Sequence, residues 1–544
     1  MRPDVRKSLR IALINPRFEP NFWGFEHALP FLPGRRACYT VTAALPALAA
    51  LSPDFCDVTL IDENVEDIPF DRLGDFDVIG VTGMIVQQTR MHQILHRLCG
   101  MGPLIVAGGP LVSVAADDFE GLCDVIFVGE AETTWPGFLH DVYNGRPVLP
   151  RYEQGEKTDM TTVPAPRYDL LKAARYVVAP LQFSRGCPFL CEFCDIITIF
   201  GRRPRTKAPA QVLAELDGIR RAGFRQCFLV DDNFIGNKAK AREVLIEIVE
   251  WQKANGFPIA LSTEASLNLA DEAELLELMV AANFRQVFIG IETPRAASLI
   301  ETRKLQNVRG DTMDDKLQRI RDAGLVVTAG FIVGFDNDDA EIFDEQFRFI
   351  QRNGIAKSLV AVLSAIPSTP LHDRLKAAGR LDSSHPRINF HPLQMDQDQL
   401  LEGYDDLVMR LFDPDAYWQR LLDGYAGSPE YRRKRAAFAR DNLPRQTAAA
   451  VLAGTLAALG SASRLAAHIL TQERGARVLR SYLRHYRKNR GLGRDAIPLT
   501  AFVNLCTEHW HFYQMARYDR KMSFGSIQSR VDRPDLALAE HRLD

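Results

Sequence analysis

Three cysteines, Cys187, Cys191 and Cys194, fall within eight residues of the stretch SRGCPFLCEFCDI, which runs from Ser184 to Ile196. Thiols spaced C-x3-C-x2-C could serve three chemistries. A structural zinc ion takes four ligands, usually from paired C-x2-C units, and no fourth Cys or His stands in a suitable loop. A redox dithiol needs only C-x-x-C and leaves Cys187 without a task. A cubane iron–sulfur cluster held by three thiolates keeps one iron open, and that iron can chelate a substrate or a second cofactor. Three ligands instead of four then become the functional feature. The other six cysteines, Cys38, Cys56, Cys99, Cys123, Cys227 and Cys506, stand singly and read as small buried core residues. Thiols without a paired framework fit a reducing compartment, so the chain is expected in the cytoplasm.

Such a loop needs a scaffold. Six short apolar runs, at 181–184, 227–231, 259–264, 287–292, 326–333 and 358–363, alternate with helical segments such as PAQVLAELDGIRRAGF. Six βα units make an open or partial TIM-like barrel, fewer than the eight of a closed one, and this fold gathers function at the carboxyl ends of its strands. The thiols follow the first run. Asp231 and Asp232 follow the second, Glu264 the third and Glu292 the fourth, while Gly330 to Gly334 lie in and after the fifth. Either aspartate reads equally well as a cap on the next helix. Glu264 and Glu292 sit deep in apolar strands, where an acid without a function is costly.

Ahead of this, from Arg10 to about Val128, the runs RIALIN, DVTLI, DVIGVT, PLIVAG and DVIFV are nearly continuous in apolar residues. Strands buried on both faces of a parallel sheet have that pattern, so a five-stranded doubly wound, Rossmann-like α/β domain is expected. Small or polar residues crowd the strand ends: Asn15-Pro16, Asp62-Glu63-Asn64, Thr82-Gly83-Met84, Gly108-Gly109-Pro110 and Gly129-Glu130. Glycines there let a large flat ligand approach the backbone. The expected domains are residues 1–145, a proline-rich linker at 146–178, the partial barrel at 179–380, and a helical C-terminal domain at 381–544.

A composition of 46% hydrophobic and 25% charged residues excludes a disordered or fibrous chain, and a net charge of -3 carries no sign of a nucleic-acid partner. The basic start MRPDVRKSLR leads into one short apolar run, so no leader peptide is expected. The Ala-rich stretch 447–460 contains two glycines and is shorter than the roughly 18 to 20 residues of a span. It reads as a packed helix, with a membrane contact as the alternative, and no transmembrane segment is expected. The basic runs FGRRPRTK, with Arg202, Arg203, Arg205 and Lys207, and YRRKR at 431–435 read as solvated surface, although the first could dock an anionic group.

The stretch RGCPFLCEFCDI, with Phe193 before its third cysteine, resembles the signature of radical S-adenosylmethionine enzymes. A doubly wound domain ahead of such a barrel is similar to their cobalamin-binding subgroup, over roughly residues 8 to 380. NPRFEPNFWGFEHALP, DVIFVGEAETTWP and VDDNFIGN resemble one branch with a helical C-terminal extension, which includes bacterial hopanoid methylases. The resemblance implies a [4Fe-4S] cluster on Cys187, Cys191 and Cys194, with S-adenosyl-L-methionine near Phe193, Asp231, Asp232, Glu264, Glu292, Gly330 and Gly334. It implies cobalamin at Thr82, Gly83, Met84, Gly108, Gly109, Pro110, Gly129 and Glu130. The Asp-x-His-x-x-Gly motif that supplies a lower histidine to cobalt is absent, which implies a cobalt without that ligand. The implied reaction is methyl transfer to an unactivated carbon through a 5'-deoxyadenosyl radical, with a second S-adenosylmethionine restoring methylcobalamin. The same hydrogen abstraction could end in cyclisation, ring rearrangement or oxidation, and a sensor without turnover would share the cofactors. The expected partners are a small substrate, possibly an apolar lipid or natural product, and an external electron donor such as flavodoxin or ferredoxin.

Overall fold

The computed structural model describes residues 8–518 apart from 35, 383, 386 and 446. Residues 1–7 and 519–544, which carry the expected absence of a leader and the tail of the helical domain, lie outside the described residues. In chain order the strands begin with β1 (Leu9–Asn15), β2 (Cys38–Thr40), β3 (Cys56–Asp62), β4 (Val78–Thr82), β5 (Leu104–Gly108), β6 (Val125–Val128) and β7 (Arg151–Glu153). They continue with β8 (Tyr176–Leu181), β9 (Ser184–Arg185), β10 (Arg205–Thr206), β11 (Gln226–Leu229), β12 (Ala260–Ala265), β13 (Phe284–Glu292), β14 (Val326–Val333) and β15 (Ser358–Val362).

The first sheet is parallel, in the order β3-β1-β4-β5-β6-β7. Strand alternation explains its two covers: Leu9, Ile11 and Leu13 of β1 enter one hydrophobic core, and Ala12 and Ile14 enter the other. The order reverses between β1 and β4, which is where open α/β sheets bind ligands. The sheet has six strands instead of five, because Arg151–Glu153 of the expected linker adds to its edge. Three residues with two exposed side chains leave no apolar pattern to read.

The second sheet is the curled half-barrel, in the order β15-β14-β13-β12-β11-β8-β2, all parallel. Its first barrel strand ends at Leu181, where the sequence placed the start. Phe183 then leads into the β9–β10 hairpin that begins the cysteine loop. A proline at 180 disguises this strand. The seventh strand, β2, comes from the N-terminal region: the chain leaves β1, sends Phe22, Phe25, Leu29 and Phe31 into the barrel core, and pairs β2 with β8 before returning. The C-terminal helices share that core through residues such as Leu400, Trp418 and Trp510, so they are not packed apart from the barrel.

Two expectations change. The Ala-rich stretch is part of a helix of 23 residues, Ala448–Leu470, which is mostly exposed and is long and apolar enough to cross a membrane by length and composition. Of the six single cysteines, Cys38, Cys227 and Cys506 are buried, Cys56 and Cys123 are half-buried, and Cys99 is exposed.

Candidate cluster and cofactor site

The cysteine loop is clamped from behind. Asp231 accepts the amides of Phe183 and Ser184 at 2.8 and 2.7 Å, and Asp232 accepts that of Gly186 at 2.7 Å. Neither aspartate caps the following helix; Asn237 does, accepting the Lys240 amide at 3.2 Å. Gly186 has φ +94°, and a Cβ there would stand 2.9 Å from the carbonyl oxygens of Gly201 and Arg203. Only glycine lets the hairpin close this tightly. Burial pushes the Asp231 carboxyl up to about 8 against its two amide donors, and the Asp232 carboxyl up to about 6.

The thiols face a mixed wall. Asn233 Nδ2 lies 4.0 Å from Cys187 Sγ, and Gln306 Nε2 lies 3.7 Å from Cys191 Sγ. Lys304 forms a buried ion pair with Glu292 and stands 5.9 Å from the Phe193 ring centroid. Burial works to lower the Lys304 pKa, but Glu292 and the sulfurs of Cys191 and Cys194 outweigh it and hold the ammonium charged. Burial raises the Cys187 and Cys194 thiols above their ordinary values. Among the described residues no three Cys, His, Asp or Glu side chains converge as ligands of a single metal ion. A cluster asks for something else, one thiolate on each of three irons, and a buried cation close to those sulfurs offsets their charge. The donor set therefore fits an iron–sulfur cluster and not an isolated ion.

Glu264 and Glu292 stand at the same strand ends. The Glu264 carboxyl accepts no hydrogen bond among the described residues, and burial, with Asp232 and Glu292 adding, pushes it up to about 7. Glu292 has φ +65°, at a register shift between β13 and β14, a strained conformation for a residue with a side chain. Gly330 and Gly334 answer crowding: a Cβ would meet Phe288 Cζ at 2.8 Å in the first and Leu400 Cδ2 at 2.9 Å in the second. The Gly334 amide is already given to Asp338 at 3.0 Å.

At the ends of the doubly wound strands, Thr82, Gly108, Gly109, Pro110 and Gly129 line a crevice of about 240 Å³. Gly80, Leu13, Trp135 and residues of the helix Ala44–Leu51 also line it, so much of its wall is apolar. A Cβ on Gly129 would enter open space, so the backbone is bare there. Gly83 has another task, since a Cβ would meet Met91 Sδ at 2.9 Å and its carbonyl accepts the Leu111 amide. Met84 lines a larger cavity of about 530 Å³ with Pro110, Trp23, Phe193, Asp195 and Ile332. Pro110 borders both spaces, which therefore adjoin between the sheet ends and the cysteine loop.

Glu130 lines the same crevice as Gly129, and its carboxylate is engaged by protein partners. It accepts from Arg185 at 2.8 Å, Arg205 at 3.0 Å and the Thr158 amide at 2.9 Å, and Glu132 takes Arg185 from the other side at 2.6 Å. This clamp ties the end of β6 to the residue that precedes Gly186 and Cys187. Half of the basic run FGRRPRTK is thus internal: Arg205 meets Glu130 and Lys207 meets Glu215, while Arg202 and Arg203 are exposed. In YRRKR, Arg435 likewise turns inward and donates to the Phe284 carbonyl at 3.1 Å. Sequence reasoning passed over Arg185, Glu132 and Lys304. The first two adjoin singled-out residues, but Lys304 lies in the undistinguished run ETRKLQN and is found only in space.

The comparisons with known proteins agree with this geometry. Residues 181–350 match the Radical SAM superfamily, and residues 369–521 match a domain of unknown function, DUF4070. The uncharacterized methyltransferase sll1242 of Synechocystis sp. is 39% identical, over 76% of this chain and 78% of that protein. The hopanoid C-2 methylase of Rhodopseudomonas palustris is 34% identical, over 76% of this chain and 79% of that protein. The solved structure of the cobalamin-dependent S-adenosylmethionine radical enzyme OxsB covers 94% of this chain and 85% of its own at a TM-score of 0.60 and 15% identity, which shows a shared fold. The chain belongs to the radical S-adenosylmethionine superfamily, within its methyltransferase branch.

Proposed function

We propose that the protein is a cobalamin-dependent methyltransferase that acts on an unactivated carbon of a small, apolar molecule. The observation that carries this reading is the adjoining pair of cavities: glycine-rich sheet ends on one side, the three-thiol loop on the other, and Pro110 between them. When bound, a [4Fe-4S] cluster with S-adenosylmethionine supplies a 5'-deoxyadenosyl radical, and cobalamin supplies the methyl group. Cys187, Cys191 and Cys194 hold the cluster, and Asp231 and Asp232 fix their loop through its amides. Lys304 compensates the thiolates, and Glu264, without a donor of its own, is left for the cationic end of S-adenosylmethionine. Thr82, Gly108, Gly109, Pro110 and Gly129 floor the cobalamin crevice. The apolar side chains of Met84, Trp23, Phe193 and Ile332 exclude water from the reacting space. Electrons come from an external donor such as flavodoxin or ferredoxin in the cytoplasm, where the unpaired cysteines suit a reducing environment.

Anaerobic reconstitution with iron, sulfide and cobalamin, followed by spectroscopy and a 5'-deoxyadenosine assay, tests the reading. Replacing Cys187, Cys191 or Cys194 by Ala should abolish both the cluster absorbance and that product. A substrate gain of one methylene supports methyl transfer; a loss of two hydrogens or of water refutes it.

A further inference from the structure

The helix Ala448–Leu470 carries an apolar surface that nothing among the described residues covers. No residue from Ala448 to Ala457 is buried, and no charged residue occurs between Thr447 and Ser463. Val451, Leu452, Leu456 and Leu459 are 50, 60, 59 and 48% exposed. The three leucines follow one another at i, i+4 and i+7, so they form a single stripe. Isolated exposed leucines are ordinary, but a contiguous apolar stripe on a projecting helix marks a docking surface.

Length decides between crossing a membrane and lying on it. The second half of the helix is fixed to the protein: Ala458, Ser461, Leu465 and Ile469 are buried, and the helix packs on Leu499–Tyr518 and Gly475–Gly491. About ten free residues at about 1.5 Å each reach roughly 15 Å, half of a hydrocarbon core of about 30 Å. The free end can enter one leaflet and cannot traverse the bilayer.

Charge identifies the occupant. Residues 445–490 contain nine Lys and Arg against Glu473 alone, and although Arg477 and Arg484 pair with Asp413 and Asp415, the excess stays positive in a chain whose net charge is -3. On the next helix Arg480, Arg487 and Arg490 are exposed without an ion pair among the described residues, and Leu483 between them is 59% exposed. A second copy of this chain would bring the same positive charge against it. We propose that this helical hairpin docks the protein on an anionic lipid bilayer, with the leucines at the acyl boundary and the arginines on headgroup phosphates.

Docking also bears on the substrate. Leu29–Phe31 packs against the docking helix, with the Phe31 ring 5.3 Å from that of His468. The same N-terminal segment sends Phe18, Asn21, Trp23 and Gly24 into the wall of the larger cavity. A substrate drawn from the bilayer is therefore an apolar, membrane-resident molecule, a step that rests on the cavity being the substrate site; the docking itself does not.

Flotation of the full chain with phosphatidylcholine vesicles, with and without phosphatidylglycerol, reads the docking directly. The chain should float with the anionic vesicles, less with the neutral ones, and less as salt rises. The double variant Leu452→Glu, Leu456→Glu should bind anionic vesicles at least about tenfold more weakly. Arg480→Glu with Arg487→Glu should remove the preference for anionic lipid. All four side chains are exposed, so both variants should unfold at the wild-type temperature, which keeps a lost interaction distinct from a lost fold. Failure of the wild type to float with anionic vesicles overturns the proposal, as does unchanged binding by the leucine variant. A lipid-free dimer that the leucine variant converts to monomer in sedimentation equilibrium also overturns it. Vesicle binding is read without turnover, so its failure and a failure of methyl transfer are separate results.

Discussion

Replacing Glu130 by Gln tests whether this residue clamps the two sheets together or serves a cofactor. The Glu130 side chain is 1% exposed, and its guanidinium partners on Arg185 and Arg205 are 12% and 15% exposed. Glutamine keeps the shape, so no cavity opens; the charge opposite two nearly buried cations is what disappears. Removing one partner of a buried pair costs about 3–5 kcal/mol. The surviving Arg185–Glu132 contact at 2.6 Å and the slight solvent access of both arginines reduce the expected loss to about 2–3 kcal/mol. About 2–4 °C of midpoint accompanies each kcal/mol in a unit of about 150–250 residues and less in the larger shared core here, so thermal unfolding should fall by about 2–5 °C. A cycle with Arg205→Met should recover about 1 kcal/mol or more of that loss, because the second substitution removes the stranded cation. An E130Q chain that unfolds with the wild type while its cobalamin affinity drops would refute the clamp and return Glu130 to the cofactor.

Gly109→Ala should cost about 2–4 kcal/mol in urea unfolding and weaken cobalamin binding. The residue has φ +99°, and a Cβ would stand 2.3 Å from Thr82 Oγ1; wild-type stability would show that the turn can relax. Glu264→Gln should stabilise the ligand-free chain by on the order of 2 kcal/mol above pH 7 and make no difference below pH 4. The sign follows from the raised carboxyl: between its unfolded value of 4.5 and about 7 the unfolded chain ionises first, so the acid destabilises increasingly as pH rises. Unfolding curves at pH 5 and pH 8 measure it, and a destabilised variant at pH 8 would contradict a carboxyl without partners. Burial lowers His509 and His511 from 6.5 to about 3, so stability present above 6.5 is lost as pH falls toward 3. Each contributes up to about 1.4 kcal/mol per pH unit, and substituting both by Gln should flatten the acid limb of a stability profile.

The cysteine spacing, five of the six barrel runs and the five long strands of the first domain were legible because each is a local pattern, whereas the first barrel strand, Tyr176–Leu181, was hidden by Pro180. Thiol spacing reports ligand number, and a buried strand must be apolar on both faces over four to eight residues. The exposed strand β7 and the three-residue β2 have no such pattern, since their placement comes from the neighbours they pair with. The same limit governs the site. Asp231 and Asp232 were visible as acids at a strand end, but whether they cap a helix or hold the cysteine loop depends on which amides lie across the barrel mouth. Lys304 sits 110 residues after Cys194 and reaches the thiols only because β13 and the turn after it fold back over the rim.

The sequence by itself determined the chemistry available: three thiolates, too few for a closed shell, placed after a strand in a βα series behind a glycine-rich doubly wound unit. Tertiary structure alone decided which charges compensate one another, which set Glu130 into a clamp with Arg185 and Arg205 at the wall of the crevice. It also decided which apolar residues remain uncovered, which turned an Ala-rich helix from core into surface. Both are matters of desolvation. The free energy of a charge or a leucine depends on what surrounds it, and its surroundings come from chain segments far away in sequence.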